Sequence, residues 1–145
     1  MFLGQHSHSL DDKGRISLPA PFRKVVQGLG SDRVILTRGI GPCLLGFTVE
    51  AWQKLVDKLT MEPMLDREVE AFERIYAAHA CETPVDRQGR VLIPPFLRNY
   101  AAIEKDVLFA GRIRKFEIWQ PGRWDDAVQE STALLSDGGR LNAII

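Results

Sequence analysis

A chain of 145 residues with 45% apolar and 26% charged residues has the composition of a soluble globular protein, which excludes a disordered or low-complexity chain. Its formal net charge of zero argues against indiscriminate binding to nucleic acids. No run of about 18 apolar residues occurs and the N-terminus lacks the pattern of a secretion signal, so we expect no membrane association and a cytoplasmic location.

The charges are unevenly distributed along the chain. The net charge is +2 in residues 1–50 and +4 in residues 84–124, but −3 in both 51–83 and 125–145. This pattern predicts a bipolar molecule with its basic segments on one side. Ordinary solvated surface charge is the alternative, and charge alone does not decide between the two.

Four strands and one short helix are predicted for the first fifty residues. In chain order they are strands at 2–10 and 16–18, a short helix that follows Pro19 and ends near Gly28, and strands at 34–37 and 44–47. Gly14 lies between the first two strands and gives the backbone the positive φ that a tight reversal commonly needs. Pro19 removes a ladder donor and suits the first turn of a helix.

An acidic pair of helices is predicted over residues 51–76. Thr48 is expected to cap the first helix, which Pro63 ends, and the second helix is expected to begin at Asp66. Trp52 and Phe72 lie on apolar stripes and are candidates for contacts between subunits. Packing within the chain is the favoured interpretation of both.

The sequence Asp-Arg-Gln-Gly-Arg-Val-Leu-Ile-Pro at 86–94 repeats Asp-Asp-Lys-Gly-Arg-Ile-Ser-Leu-Pro at 11–19, and four residues beyond each Pro lies another arginine, Arg23 or Arg98. One supersecondary unit has therefore been used twice. Each copy of roughly 75 residues is small for a core of its own, so we expect a shared one. Both of these helix arginines are interpreted as structural.

The elements of the second copy follow from the same offset. They are a strand at 77–85, a strand at 91–93, a short helix from Pro95, strands at 107–110 and 116–119, a helix at 121–135 that Gly138 and Gly139 stop, and a loose tail at 140–145. The turn at 111–115 is notably basic and is a candidate for phosphate contact, with a solvated hairpin tip as the alternative.

Each repeated turn combines an acidic residue, a glycine and an arginine. Asp11 and Asp86 stand at the turn entries, where a carboxylate can accept hydrogen bonds from turn amides and pair with the arginine after the glycine, which is Gly14 or Gly89. We therefore expect each Asp to hold its turn and to aim its arginine.

Together these features resemble the MraZ family of bacterial transcriptional regulators, which consist of two AbrB-like (SpoVT-AbrB) modules with an Asp-x-x-x-Arg motif in each. The motifs here run from Asp11 to Arg15 and from Asp86 to Arg90, and the resemblance extends from the N-terminus to about Trp124. A single Asp-x-x-x-Arg motif would not identify a family. Two copies, each with a glycine before the arginine, are specific in a chain of this length.

The resemblance implies an α+β fold in which two swapped-hairpin modules form an intrachain pseudo-dimeric small β-barrel with flanking helices. The modules would occupy residues 1–50 and 77–124, the helical linker residues 51–76, and a C-terminal helix and tail residues 125–145.

The resemblance also implies a function. The chain would be a sequence-specific, DNA-binding transcriptional regulator that represses the division and cell-wall gene cluster, including its own promoter, at the nucleoid. Its partners would be double-stranded promoter DNA with G-rich direct repeats and further copies of the chain, assembled as a ring. We expect no enzymatic activity, cofactor, metal or small-molecule substrate.

The resemblance places the DNA contacts in the two turns. Arg15 and Arg90 are expected to contact bases, because a guanidinium can bond bidentately to guanine O6 and N7. Lys13, Arg87 and Gln88 are expected to contact phosphates or neighbouring base edges.

Other candidate chemistry is weak. His6 and His8 share one face of a strand, which can suit a metal, but no third ligand is evident nearby. Cys43 and Cys81 form no metal-type pair and are interpreted as buried apolar side chains, and His79 as structural. No catalytic motif accompanies the Ser, His and Asp residues of the chain.

Two other functions stay open at this point. An AbrB-like antitoxin has a similar fold, but usually combines one module with a disordered tail that wraps its toxin, whereas this sequence shows two modules and almost no tail. A ring-forming protein scaffold, in which the turns are only structural, is the alternative from a different class.

Overall fold

The strands of the fold come from both copies of the repeat. The computed structural model describes every residue from Met1 to Ile145 and shows an α+β chain. The strands are β1 (Gln5–Ser9), β2 (Arg15–Ser17), β3 (Arg33–Arg38), β4 (Leu44–Thr48), β5 (Cys81–Pro84), β6 (Arg90–Leu92), β7 (Asp106–Gly111) and β8 (Phe116–Trp119).

Five α-helices connect or flank these strands. They are α1 (Ala20–Gly28), α2 (Val49–Thr60), α3 (Arg67–Phe72), α4 (Pro95–Ala101) and α5 (Pro121–Ser136). A π-helical turn, Glu73–Ala77, continues α3, and a 3-10 turn, Arg140–Ile144, follows α5. None of the helices combines the length and the hydropathy that a bilayer span requires.

Strand pairing exchanges the first strand of each half of the chain. We call residues 1–75 the first half and residues 76–145 the second half. Six strands form an antiparallel sheet in the order β1-β7-β8-β4-β3-β5, and β2 pairs with β6 in a separate antiparallel ribbon. In this sheet β1 pairs only with β7 of the second half, and β5 pairs only with β3 of the first half.

The expected closed barrel is wrong, because the six-stranded sheet is open with β1 and β5 as its edges. Closure would require a ladder that joins these two edges. Instead, each edge strand continues through a turn into β2 or β6, and those two strands pair with each other as the ribbon.

One hydrophobic core is shared by the two halves, as the small size of each half predicts. The main cluster contains 18 buried residues drawn from both halves. Phe22 of α1 lies at its centre with no exposed surface, 5.2 Å from the Phe2 ring and 5.4 Å from the Phe116 ring. Because neither half buries these rings alone, the halves fold as one unit.

A second cluster lies on the other face of the sheet, since successive strand residues point to opposite faces. Thus Val34 belongs to the main cluster and Ile35 to the second one. Trp52 packs edge-on to Phe47 with ring centroids 5.4 Å apart, so the interpretation that it packs within the chain is confirmed. Phe72 stacks on Tyr76 of the π-helical turn that continues α3, with ring centroids 4.1 Å apart.

The predicted cap at Thr48 is present, and the helix expected to begin at Asp66 begins at Arg67 with Asp66 as its N-cap. The amide of Ala51 donates to Thr48 Oγ1 at 3.0 Å, and Asp66 Oδ1 accepts from the amide of Glu68 at 2.7 Å. The helix α5 ends before Gly138, whose φ is 82°.

Several boundaries differ from the sequence predictions, including that of the strand expected at 2–10, which spans Gln5–Ser9, and two further segments differ as follows. The strand expected from residue 77 begins at Cys81, because the π-helical turn continues α3 and the amide of Ala78 still donates to the Glu73 carbonyl at 2.9 Å. The expected loose tail is a short 3-10 turn, in which the Asn142 side chain donates to the Leu135 carbonyl of α5.

Candidate nucleic-acid interface

The first repeated turn joins β1 to β2 and closes around one carboxylate. Asp11 Oδ1 accepts from the amides of Lys13 and Arg15, both at 2.9 Å. The amide of Gly14 donates to the Asp11 carbonyl at 3.0 Å, and the φ of Gly14 is 81°. A residue with a Cβ is strained at this φ, so glycine is the residue that permits the turn.

The second turn joins β5 to β6 and has the same geometry. Asp86 Oδ1 accepts from the amides of Gln88 at 2.9 Å and Arg90 at 2.8 Å, and the φ of Gly89 is also 81°. The duplicated sequence therefore produces a duplicated structure, which follows because every bond of the turn lies within five residues.

The hydrogen bonds of the turns favour ionised carboxylates. The backbone hydrogen bond from Arg15 is the largest cause that holds the pKa of Asp11 below its usual value, and the Arg15 side chain adds to it. The amide of Arg90 and then its side chain lower the pKa of Asp86 in the same way. Both carboxylates are therefore charged at neutral pH and can pair with arginine.

Each carboxylate also binds the side chain of its arginine. Arg15 Nε donates to Asp11 Oδ2 at 2.7 Å, and Arg90 Nε donates to Asp86 Oδ2 at 2.9 Å. Both guanidinium groups are hydrogen-bonded through Nε, and neither forms a hydrogen bond through its Nη nitrogens, which therefore remain available as donors.

The ribbon brings the two arginines to one surface. Ile16 pairs with Val91 across β2 and β6, and both are 1% exposed. Since side chains alternate along a strand, Arg15 and Arg90 lie on the opposite, outward face of the same ribbon. Their side chains are 33% and 30% exposed. Neither arginine is buried in the core, and the two do not lie at opposite poles.

The remaining predicted contacts lie at the tips of the turns. Lys13, Arg87 and Gln88 are all exposed. The tips differ in charge, because Asp12 accompanies Lys13 in the first turn whereas Arg87 accompanies Gln88 in the second. The second turn is thus the more positive of the two.

Sequence reasoning missed the contacts of two helix arginines. Arg23 Nη2 in α1 donates to the Arg87 carbonyl at 3.0 Å, and Arg98 of α4 lies against Gly14. The matching positions of Arg23 and Arg98, four residues beyond each repeated Pro, signalled a shared role. Only the exchange of strands shows that each arginine reaches the turn of the other half.

The basic turn at 111–115 is separated from the two repeated turns. Gln5 pairs with Ala110, and Ile113 forms an isolated bridge with Phe2, so this turn lies beyond the start of β1, whereas Asp11 follows the end of β1. Arg112 Nη1 of this turn pairs with Glu117 Oε2 of β8 at 3.1 Å.

The two histidine side chains of β1 pack against aromatic rings of the core. The His6 ring packs edge-on to Phe22 at 5.1 Å, and the His8 ring packs edge-on to Phe109 at 5.7 Å. Burial, followed by the charge of His6, lowers the pKa of His8. The chain brings no three His, Cys, Asp or Glu side chains together in a metal-binding arrangement.

Comparison with known proteins identifies the duplicated unit. A family model described as "MraZ protein, putative antitoxin-like" matches residues 1–75 and again residues 76–138. The protein named Transcriptional regulator MraZ of Acetivibrio thermocellus is 44% identical over 125 residues, which cover 86% of this chain and 85% of that protein. Proteins of the same name from Caldicellulosiruptor bescii and Thermomicrobium roseum are 43% and 42% identical, each over 86% of this chain and 84% of their own length. The chain therefore belongs to the MraZ family.

Proposed function

We propose that this chain is a sequence-specific DNA-binding regulator of transcription that reads DNA with its two repeated turns. The observation that carries the proposal is the display of Arg15 and Arg90 on one outward face of the β2–β6 ribbon, each bonded to the aspartate of its own turn. The name shared by the relatives, Transcriptional regulator MraZ, supports the same function.

The side chains suit guanine in the major groove. A guanidinium presents two parallel N–H donors that match O6 and N7 of guanine, and each such contact contributes about 1–3 kcal/mol of base discrimination. The Asp–Arg bonds fix the direction of each guanidinium before DNA binds, which lowers the entropy lost on binding. Lys13, Arg87 and Gln88 would then contact phosphates or neighbouring base edges.

Two arginines are not enough for tight binding by one chain. Two contacts contribute about 2–6 kcal/mol, whereas specific complexes with Kd values near 10⁻⁸ to 10⁻¹¹ M require about 11–15 kcal/mol. A net charge of zero adds little non-specific attraction. We therefore propose that several copies assemble in a ring and bind tandem G-rich direct repeats, so that effective concentration multiplies the affinity.

The biological part of the proposal follows from the family. The protein would act in the cytoplasm, at the nucleoid, as a repressor of the division and cell-wall gene cluster and of its own promoter. The AbrB-like pseudo-dimer belongs to the same proposal, and the exchange of β1 and β5 between the halves supports it.

Fluorescence anisotropy on a duplex from the organism's own promoter upstream of those genes tests the proposal. Arg15→Ala and Arg90→Ala are each expected to weaken binding roughly 5- to 150-fold, which corresponds to about 1–3 kcal/mol. The matched control is Arg67→Ala, which removes an exposed charge from α3 and is expected to bind as the wild type does. Circular dichroism and gel filtration check that folding and assembly are retained. If a double variant with both Arg15→Ala and Arg90→Ala bound the duplex as tightly as the wild type, the proposed role of the two arginines would be refuted.

A salt titration separates this function from a protein scaffold. Phosphate contacts release counterions, so the logarithm of the binding constant falls with the logarithm of salt concentration by about 0.9 per phosphate. A scaffold whose turns are only structural would show no salt-dependent binding of duplex DNA.

A further inference from the structure

Each repeated turn packs against an arginine from the opposite half of the chain. Arg23 of α1 lies against Gly89, so that a Cβ added to this glycine would lie 2.7 Å from Arg23 Nη1. Arg98 of α4 lies against Gly14, where an added Cβ would lie 2.9 Å from Arg98 Cζ. A Cβ cannot lie this close to another heavy atom. Glycine therefore serves two purposes at each position: it leaves room for the guanidinium group and it permits the positive φ.

The two helix arginines are partly buried, and their Nε atoms are enclosed by protein. Nε of Arg23 and Nε of Arg98 are both buried, and neither has a hydrogen-bond partner. The one strong polar contact of the pair is the bond from Arg23 Nη2 to the Arg87 carbonyl at 3.0 Å, which holds the peptide group at the tip of the second turn. This contact places Arg23 to fix the second turn.

We propose that Arg23 and Arg98 are positioning residues, each of which presets the DNA-reading turn of the opposite half. The proposal rests on the proposed function of the turns, and it adds that the two halves read DNA as a coupled pair. Each guanidinium fills the space beneath a turn glycine and keeps the turn in its binding conformation before DNA arrives. Preorganisation of this kind raises affinity because less freedom is lost on binding. The second turn is held more firmly, since only it also has the hydrogen bond from Arg23.

Amide hydrogen exchange measured without DNA tests the crossed arrangement directly. Each turn has four internally bonded amides, and three of them follow the aspartate, those of residues 13–15 in the first turn and 88–90 in the second. Arg23→Met keeps the apolar stem and removes the guanidinium. It is expected to raise exchange at 88–90 by several-fold to roughly tenfold, the loss expected for one hydrogen bond, with no change at 13–15. Arg98→Met is expected to raise exchange at 13–15 only, by a smaller factor.

The control for exchange is Lys24→Met, which removes an exposed charge next to Arg23 and is expected to leave both turns unchanged. If the methionine variants do not fold, Arg23→Lys and Arg98→Lys replace them, because lysine keeps the positive charge but lacks the planar guanidinium group. Faster exchange must then occur at the same amides. The proposal would be overturned if a variant raised the exchange rate equally in both turns, raised it in the turn of its own half, or did not raise it at all.

DNA binding by the same variants distinguishes positioning from phosphate contact. Arg23→Met is expected to weaken binding while the slope against salt stays that of the wild type. A slope reduced by about 0.9 would instead make Arg23 a phosphate contact and overturn the proposal. If the wild-type protein bound no DNA, the proposed function would fail, whereas the exchange measurement would still decide whether the arginines hold the turns.

Discussion

Arg90 Nη1 lies 4.0 Å from Asp11 Oδ2, so the arginine of the second turn faces the carboxylate that holds the first. Asp11 also binds Arg15 Nε at 2.7 Å, whereas Asp86 pairs only with Arg90. The two turns have nearly identical internal bonds, but a single carboxylate links both guanidinium groups. The duplicated motif is therefore not symmetric in its charge contacts.

This asymmetry predicts unequal effects of two matched substitutions. Asp11→Asn and Asp86→Asn each keep an oxygen that accepts from the turn amides and remove the negative charge. Asp11→Asn is expected to reduce the preference for operator over scrambled duplex more than Asp86→Asn does, because it frees two arginines rather than one. Anisotropy with both duplexes at one salt concentration measures this preference. An equal or larger loss with Asp86→Asn would contradict the shared role of Asp11.

Stability is expected to depend on these carboxylates in acid. Hydrogen bonds hold the folded-state pKa values of Asp11 and Asp86 below the ordinary 3.8. Carboxyl groups with lowered pKa values stabilise the fold fully above their unfolded pKa, and this contribution is lost as the pH falls through the folded pKa. Urea unfolding should therefore show a difference in stability between wild type and the Asp11→Asn, Asp86→Asn double variant at neutral pH that narrows as the pH falls below 3.8. If the difference in unfolding free energy stayed constant from neutral to acidic pH, the charge of the two carboxylates would play no part in stability.

Gly46 of β4 is expected to resist any side chain. A Cβ at this position would lie 2.2 Å from the Phe116 ring in the main core. Gly46→Ala is expected to destabilise the fold by about 1–3 kcal/mol, because the ring cannot move within a packed core. Gly28→Ala is the matched control, since no atom lies within 4 Å of an added Cβ there. It is expected to be neutral or slightly stabilising, and urea unfolding of both variants decides the comparison.

The two cysteines are expected to differ in reactivity. Burial raises the pKa of the Cys43 thiol to about 12, and the neighbouring Glu117 carboxylate adds to the rise. Cys81, at the edge strand β5, is only partly buried, and burial raises the pKa of its thiol as well. Iodoacetamide at about pH 8 should label Cys81 well before Cys43, because the thiolate is the reacting form. Peptide mass spectrometry reads the order, and prior labelling of Cys43 would contradict its buried, neutral state.

Local features of the fold were predictable from short stretches of sequence. The cap at Thr48 involves atoms three residues apart, and the turns at Gly14 and Gly89 involve atoms within five residues. Apolar periodicity likewise located the helix that contains Trp52. It did not locate the start of β5, because a π-helical turn continues α3 through residues that are equally compatible with a strand.

The sequence by itself determined the duplication, the chemistry of the two turns and the shared core, because these depend on spacing within a few residues and on the small size of each half. The resemblance implied an exchange between the halves, but only the tertiary structure decided that β1 pairs with β7 and β5 with β3, that the sheet stays open, and that Arg23 and Arg98 each contact the turn of the opposite half. The two arginine contacts join residues more than sixty positions apart. A periodic apolar pattern specifies which face of a strand is buried, but it does not specify which other strand covers it.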